Sequence, residues 1–149
     1  MHMLPRIEYS VTARASPAFL WEAFCDLSRL LGRGTYTEAT WTEGKPWQVG
    51  SRLRYVVVQP VAATVSAVVT LFEPHSKIGL LNHALGVTAQ QLVIFVPLDR
   101  NITRVAMAMD PVGEPTSLTP EVVSSALDFF TKDALDTMLA RYREKHPAP

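Results

Sequence analysis

Residues 36–110 constrain the fold of this chain most strongly, because they contain six strand-like segments joined only by short turns. The segments are rich in Val, Thr, Ile and aromatic residues, which favour strands. Turn-forming residues separate them, as in Glu43-Gly44-Lys45-Pro46 and Asp99-Arg100-Asn101. Connections this short join antiparallel neighbours, so the pattern predicts one antiparallel meander. The predicted strands cover residues 36–42, 51–59, 61–72, 77–84, 87–98 and 102–110.

The two ends of the chain add one further strand and the helices. Residues 6–14 alternate apolar and polar side chains, which predicts a half-buried first strand. Ser16-Pro17 then begins a short helix, and a second short helix ends at Gly32. Residues 119–145 predict a final helix of roughly 40 Å, at about 1.5 Å per residue. One face of it carries the apolar residues Val123, Leu127, Phe130, Ala134 and Met138.

This element order predicts an α+β fold in a single domain that covers residues 1–149. A seven-stranded antiparallel sheet with one apolar face must bury that face, and the long C-terminal helix is the element long enough to cover it. The two short helices follow the first strand, where we expect them to close one end. Several strands, such as residues 92–96, are apolar on both faces, which is typical of strands buried on both sides. We therefore also expect a second copy of the chain to cover the outer face in a homodimer.

Charge and composition narrow the possible partners. Fourteen basic and fourteen acidic residues leave a net charge of zero, so the chain lacks the positive surface expected of a nucleic-acid-binding protein. No apolar run is long enough for a membrane span, and the N-terminus lacks the apolar region of a secretory signal. Cys25 is the only cysteine, which excludes an intrachain disulfide and favours the cytoplasm.

Motifs for metals, nucleotides and covalent catalysis are missing from the sequence. The four histidines lack the spacing of a helical zinc site, and neither a phosphate-binding loop nor a nucleophile elbow is present. We therefore expect no metal and no cofactor.

Several short stretches resemble the START-like (SRPBCC) superfamily, which includes polyketide cyclases and dehydratases. Residues 11–21, VTARASPAFLW, resemble the family's first strand followed by Ala-Ser-Pro and a helix that carries a Trp. Residues 26–30, DLSRL, resemble its short second helix, and residues 44–51, GKPWQVGS, resemble the turn before its third strand. Thr103-Arg104-Val105 resembles the start of its last strand. The resemblance implies a helix-grip fold, in which a curved sheet and the C-terminal helix enclose a hydrophobic cavity, with catalysis in only some members.

Candidate site residues follow from this expected cavity. His83 is a candidate general acid or base if it lies at the cavity rim, and a surface histidine beside a turn if it does not. Tyr55 is the second catalytic candidate, because its phenol could donate to a ligand carbonyl. The sequence does not fix which faces of the fifth and sixth strands point inward. The predicted cavity residues are Tyr55, Val57, Gln91, Phe95, Met107, Phe130, Ala134 and Met138.

Three functions are compatible with such a fold. The first is binding of a small hydrophobic molecule of lipid, polyketide or aromatic type. The second is an enzyme of the cyclase, aromatase or dehydratase type, which an inward cluster of His83, Tyr55 and Gln91 would favour. The third is a regulatory protein-interaction module, which a collapsed cavity and an exposed apolar sheet would favour.

Overall fold

The computed structural model describes residues 4–113 and 118–147, which form one seven-stranded antiparallel sheet and its covering helices. The chain runs through β1 (Ile7–Ala13), α1 (Pro17–Cys25), a 3₁₀ helix (Leu27–Leu30), six strands and α2 (Pro120–Lys145). The predicted α+β class, seven strands and long C-terminal helix are confirmed. The six strands are β2 (Tyr36–Glu43), β3 (Arg52–Val57), β4 (Ala63–Glu73), β5 (Lys77–Ala84), β6 (Val87–Asp99) and β7 (Ile102–Val112).

Strands β2 to β7 form a continuous meander, and β1 pairs with β7 in the order β1-β7-β6-β5-β4-β3-β2. Register shifts interrupt the β2–β3, β4–β5 and β6–β7 ladders, for example between Val69 and Leu71. Such irregularities bend a strand, which lets a sheet curve around a helix.

The strand bounds agree with the predicted ones to within two residues, and two of the differences from the predicted elements have a structural reason. The second short helix is a single 3₁₀ turn, in which the side chain of Asp26 accepts from the amide of Ser28. Strand β3 ends at Val57, two residues before the predicted end. Pro60 has no amide hydrogen to donate, so the β3 ladder cannot continue through this turn.

The caps of both α-helices lie where the sequence predicts them. Ser16 caps α1 by accepting from the amide of Phe19, and Thr119 caps α2 by accepting from the amide of Val122. A proline follows each cap at the first helical turn, where the missing amide hydrogen costs nothing. No helix among the described residues is long and apolar enough to cross a membrane.

The filled part of the core lies between α1, α2 and the sheet at β6 and β7. Trp21 of α1 contacts the rings of Phe72 and Phe95, with centroid distances of 5.0 and 5.2 Å. Leu135 and Met138 of α2 are fully buried in the same cluster. Helix α2 packs most closely on α1, β1 and β7, which leaves its N-terminal half to face β3, β4 and β5 across open space.

Candidate ligand-binding cavity

A cavity of about 130 Å³ lies between the N-terminal half of α2 and the concave face of β3 to β7. Its wall is mostly apolar on both sides. The α2 side consists of Val123, Ala126, Leu127, Phe130 and Ala134, and Leu118 precedes the helix. The apolar part of the sheet side consists of Val57, Val61, Ala63, Val65, Leu80, Ala84, Leu85, Val87, Ala89, Met107 and Met109.

Small side chains explain why this half of the interior is not filled. Ala63, Ala84 and Ala89 line the cavity from the sheet, and Ala126 and Ala134 line it from α2. A methyl group reaches only a short way into the gap between sheet and helix. Where the facing residues are larger, as at Phe95 and Met138, the same gap is fully packed.

Six of the eight predicted cavity residues lie on this wall: Tyr55, Val57, Gln91, Met107, Phe130 and Ala134. The other two, Phe95 and Met138, do not. Phe95 is 3% exposed and packs against Trp21 and Phe24, and Met138 has no exposed surface. Both belong to the filled core, because α1 occupies the space beside them that remains open farther along the sheet.

His83 lies outside the cavity, on the other face of β5. Its Nδ1 is 2.9 Å from the hydroxyl oxygen of Thr88 on the neighbouring strand, and the residue is exposed. Side chains alternate between the two faces of a strand, so Asn82 and Ala84 point into the cavity and His83 points away. Of the two positions considered for His83, the structure has the surface position and not the cavity rim.

Arg29 is a cavity residue that the sequence did not indicate. It lies on the 3₁₀ helix, and only 4% of its surface is exposed. Its Nε donates to the carbonyl of Phe24 at 2.9 Å, and its Nη1 donates to the carbonyl of Ala134 at 2.9 Å and to the hydroxyl of Thr137. The guanidinium also stacks over the ring of Phe24, 4.5 Å from the centroid. Arg is rarely fully buried in proteins, so no local signal predicts this burial.

Two tyrosines lie on the cavity wall with Arg29. The ring of Tyr36 is 5.8 Å from that of Tyr55 and 6.2 Å from that of Phe130. Neither hydroxyl has a hydrogen-bond partner among residues 4–113 and 118–147. Burial raises the pKa of both phenols above the ordinary value, so both stay protonated and able to donate at neutral pH. Tyr36 was not among the predicted site residues.

Asn82 and Gln91 form a polar pair on the sheet side of the cavity. The side-chain Nδ2 of Asn82 donates to Oε1 of Gln91 at 2.9 Å. The Nε2 of Gln91 has only the sulfur of Met107, at 3.6 Å, as a partner in the described chain. A sulfur atom is a weak acceptor, so this amide can still donate to a ligand oxygen. Asn82 is neither a predicted catalytic residue nor a predicted cavity residue, because the sequence does not fix which face of β5 points inward.

Within the described part of the chain, no three His, Cys, Asp or Glu residues are grouped as metal ligands would be. The polar groups of the cavity are a guanidinium, two phenols and two amides, which bind ligands through hydrogen bonds.

Comparison with known proteins identifies solved structures of similar fold. No protein-family model matches the chain, and no curated protein matches it. Among solved structures, it resembles the Zhui aromatase/cyclase from a Streptomyces species (R1128), with 19% identity, a TM-score of 0.76 and 98% of each chain covered. It also resembles norcoclaurine synthase from Thalictrum flavum in complex with dopamine and hydroxybenzaldehyde, with 16% identity and a TM-score of 0.68 over 97% of this chain and 89% of that one.

A third solved structure, that of Ara h 8.0201, matches with 10% identity and a TM-score of 0.74 over 94% of this chain and 98% of that one. At such low identities the likeness establishes a shared architecture over almost the whole chain. It does not carry the ligand or the chemistry of one protein over to another.

Proposed function

Because the chain has the helix-grip fold of START-like proteins, we propose that it binds a small, mostly apolar molecule in the cavity between its sheet and α2. The observation that carries this proposal is the cavity wall itself. It combines a large apolar surface with a few polar groups, which is the usual composition of a small-molecule site.

The size of the cavity supports a ligand larger than a few water molecules. One water needs about 10–15 Å³ of such space, whereas this cavity provides about 130 Å³. Water inside it would find few hydrogen-bond partners along α2, where the wall is formed by Val123, Ala126, Leu127, Phe130 and Ala134. Replacing that water by apolar ligand surface is favourable. Lipid, polyketide and aromatic skeletons all provide such an apolar surface.

The second candidate is an enzyme of the cyclase or aromatase type. Two observations favour it: the polar cluster of Arg29, Tyr36 and Tyr55 on the cavity wall, and the likeness to a structure described as an aromatase/cyclase. His83 is not available for proton transfer there, since it lies on the other face of β5. Phenols whose pKa is raised are weak bases at neutral pH but good hydrogen-bond donors. This set of groups therefore fits binding better than proton abstraction, and binding is our first choice.

The third candidate, a protein-interaction module, receives less support. A collapsed cavity would have favoured it, but the interior beside α2 is open. The apolar residues on the outer face of the sheet, such as Leu92 and Ile94, are partly buried by their neighbours in the sheet. We propose that a second copy of the chain contacts them, as in the predicted homodimer.

The test of the binding proposal is titration with Nile red, an uncharged dye whose fluorescence rises in apolar surroundings. Ala134→Trp would place an indole in the cavity and should weaken dye binding at least about tenfold. Ser125→Trp, at an exposed position of the same helix, is the matched control and should bind as the wild type does. Circular dichroism of both variants checks that the fold is intact.

Equal dye affinity in the wild type and in a folded Ala134→Trp variant would contradict the proposal. A second measurement, native mass spectrometry of the freshly purified wild type, searches for a co-purifying small molecule. An added mass that is present in the wild type and in Ser125→Trp but absent from Ala134→Trp would identify a ligand of the cavity.

A further inference from the structure

Arg29 has hydrogen-bonding capacity that the protein does not use. A guanidinium carries five N–H groups, and three of them are occupied by Phe24, Ala134 and Thr137. The two N–H groups of Nη2 have no partner among the described residues. Among the described residues, Oδ2 of Asp133 is the one fully buried side-chain nitrogen or oxygen atom without a partner, so Nη2 of Arg29 is not fully enclosed by protein atoms. Because Arg29 lies on the cavity wall, these two free donors can reach an acceptor in the cavity.

Arg29 also has no direct ion-pair partner among the described residues. No carboxylate oxygen of the described residues lies within 4.0 Å of its nitrogens, although its exposed neighbour Arg33 pairs with Glu144 at 2.6 Å. The carboxylate of Asp133 interacts electrostatically with Arg29 without forming an ion pair. Burial raises the pKa of Asp133, and the charges of Arg29 and Arg33 offset this only in part. A buried cation without an ion-pair partner is costly, and an anionic ligand would remove that cost.

The phenols of Tyr36 and Tyr55 add two donors at the same end of the cavity. Leu31, two residues after Arg29, pairs with Tyr36 in an isolated β-bridge, and the ring of Tyr55 lies 5.8 Å from that of Tyr36. Both remain protonated at neutral pH and neither hydroxyl has a partner in the described chain. This end of the cavity thus offers one guanidinium edge and two hydroxyl donors, while the rest of the wall is largely apolar.

We propose that the ligand is an apolar carboxylic acid, whose carboxylate accepts hydrogen bonds from Nη2 of Arg29 and from the phenols of Tyr36 and Tyr55. Its apolar part lies along Leu127 and Phe130 of α2. This inference rests on the proposed binding function and specifies its ligand class. Charge-assisted hydrogen bonds of this kind are strong, and they would discriminate an acid from a neutral molecule of the same shape.

The test compares an acid with its primary amide, which has nearly the same shape but no charge. Naphthoic acid with naphthamide and decanoic acid with decanamide provide one aromatic and one aliphatic pair. Displacement of Nile red at neutral pH measures all four affinities. For at least one pair, the acid should bind roughly 10- to 100-fold more tightly than the amide, as expected of a hydrogen-bonded charge.

Variants then assign the preference to the named residues. In Arg29→Gln, which removes the charge, the preference for the acid should fall to about twofold or less. Arg29→Lys keeps the charge and should retain part of the preference. Arg54→Gln removes a surface charge that is paired with Glu38 at 2.8 Å, and it should leave the preference unchanged. If Arg29→Gln does not fold, Tyr36→Phe and Tyr55→Phe still test the site, and each should reduce the preference roughly threefold to tenfold.

Three results would overturn the inference. If the amides bind as tightly as the acids in both pairs, the ligand class is wrong while the binding proposal remains. If the acids are preferred but the preference survives in Arg29→Gln and in both tyrosine variants, the carboxylate is bound elsewhere. If no compound and no dye enters the wild-type cavity, both the binding proposal and the inference fail.

Discussion

Nη1 of Arg29 donates a hydrogen bond to the backbone carbonyl of Ala134 at 2.9 Å, across 105 positions of the sequence. The bond joins the 3₁₀ helix to α2 next to the small side chain that keeps the cavity open. Arg141 makes a second link between the same two elements, since its Nε donates to Asp26 at 2.7 Å. The 3₁₀ helix and its cap are therefore fixed to α2 by side-chain contacts between elements that are far apart in the sequence.

Arg29→Ala should lower the free energy of unfolding by about 2–4 kcal/mol. The change removes three hydrogen bonds from a charged donor and leaves a hole beside Phe24, while it also removes an unpaired buried charge that opposes the loss. Urea unfolding followed by circular dichroism measures the difference. Arg54→Ala, at the exposed ion pair with Glu38, is the control and should cost clearly less. Equal stability of the two variants would show that Arg29 does not anchor α2.

Phe130→Ala should cost only about 1–2 kcal/mol, against about 3–5 for a fully buried phenylalanine. The ring is partly buried and borders a cavity, so its removal enlarges an existing space. Met138→Ala, two turns farther along α2, should cost about 2–5 kcal/mol because Met138 has no exposed surface. Thermal and urea unfolding of the two variants compare the open and the filled halves of the core directly. A larger cost for Phe130→Ala than for Met138→Ala would contradict this division.

Tyr36 and Tyr55 should make the protein less stable at high pH. In the unfolded chain a phenol ionises near its ordinary pKa of 10.0, whereas burial raises the pKa of these two in the folded state. Above that pH the unfolded state binds fewer protons than the folded state, so the free energy of unfolding falls as the pH rises. The fall amounts to at most about 1.4 kcal/mol per pH unit for each phenol. Urea unfolding between neutral and alkaline pH should show a smaller fall in the Tyr36→Phe/Tyr55→Phe double variant than in the wild type.

Cys25 should react slowly with thiol reagents while the protein is folded. Burial raises the pKa of its thiol to about 12 from an ordinary 9.0, so little of the reactive thiolate exists near neutral pH. At about pH 8, disulfide exchange should be on the order of a thousandfold slower than in urea-unfolded protein. A folded-state rate close to the unfolded rate would mean that the 3₁₀ helix region opens frequently.

The outer face of the sheet should mediate a homodimer. Leu92 and Ile94 of β6 lie on the face opposite the buried residues Val93 and Phe95, and both keep part of their surface exposed. Sedimentation velocity at micromolar concentration should therefore show a dimer. Ile94→Lys would place a charge in this patch and should shift the protein to monomer. A wild-type protein that sediments only as monomer would refute the prediction.

Local sequence signals predict the secondary structure and most of the architecture. Period-two alternation, short turns and the two Ser/Thr-Pro caps are local signals, and they predict seven antiparallel strands and a helix from Pro120 to Lys145 almost to the residue. The apolar stripe on α2 likewise predicts which face meets the sheet, because a helix repeats every 3.6 residues wherever it packs. Tyr55, Val57 and Met107 could be placed on one face of their strands by the same reasoning.

Tertiary packing determines which parts of the inward sheet face and of the apolar α2 face border a cavity. Periodicity assigns a residue to a face but does not say what lies opposite, so it could not separate Phe95 and Met138, which α1 and its neighbours bury, from Phe130 and Ala134, which border the cavity. Periodicity also does not assign which face of β5 points inward. In the fold, Asn82 points inward and His83 points outward. Arg29 became a cavity residue only because carbonyl and hydroxyl groups of α2 and α1 accept its hydrogen bonds there, and those acceptors are brought together by long-range packing that no local pattern encodes.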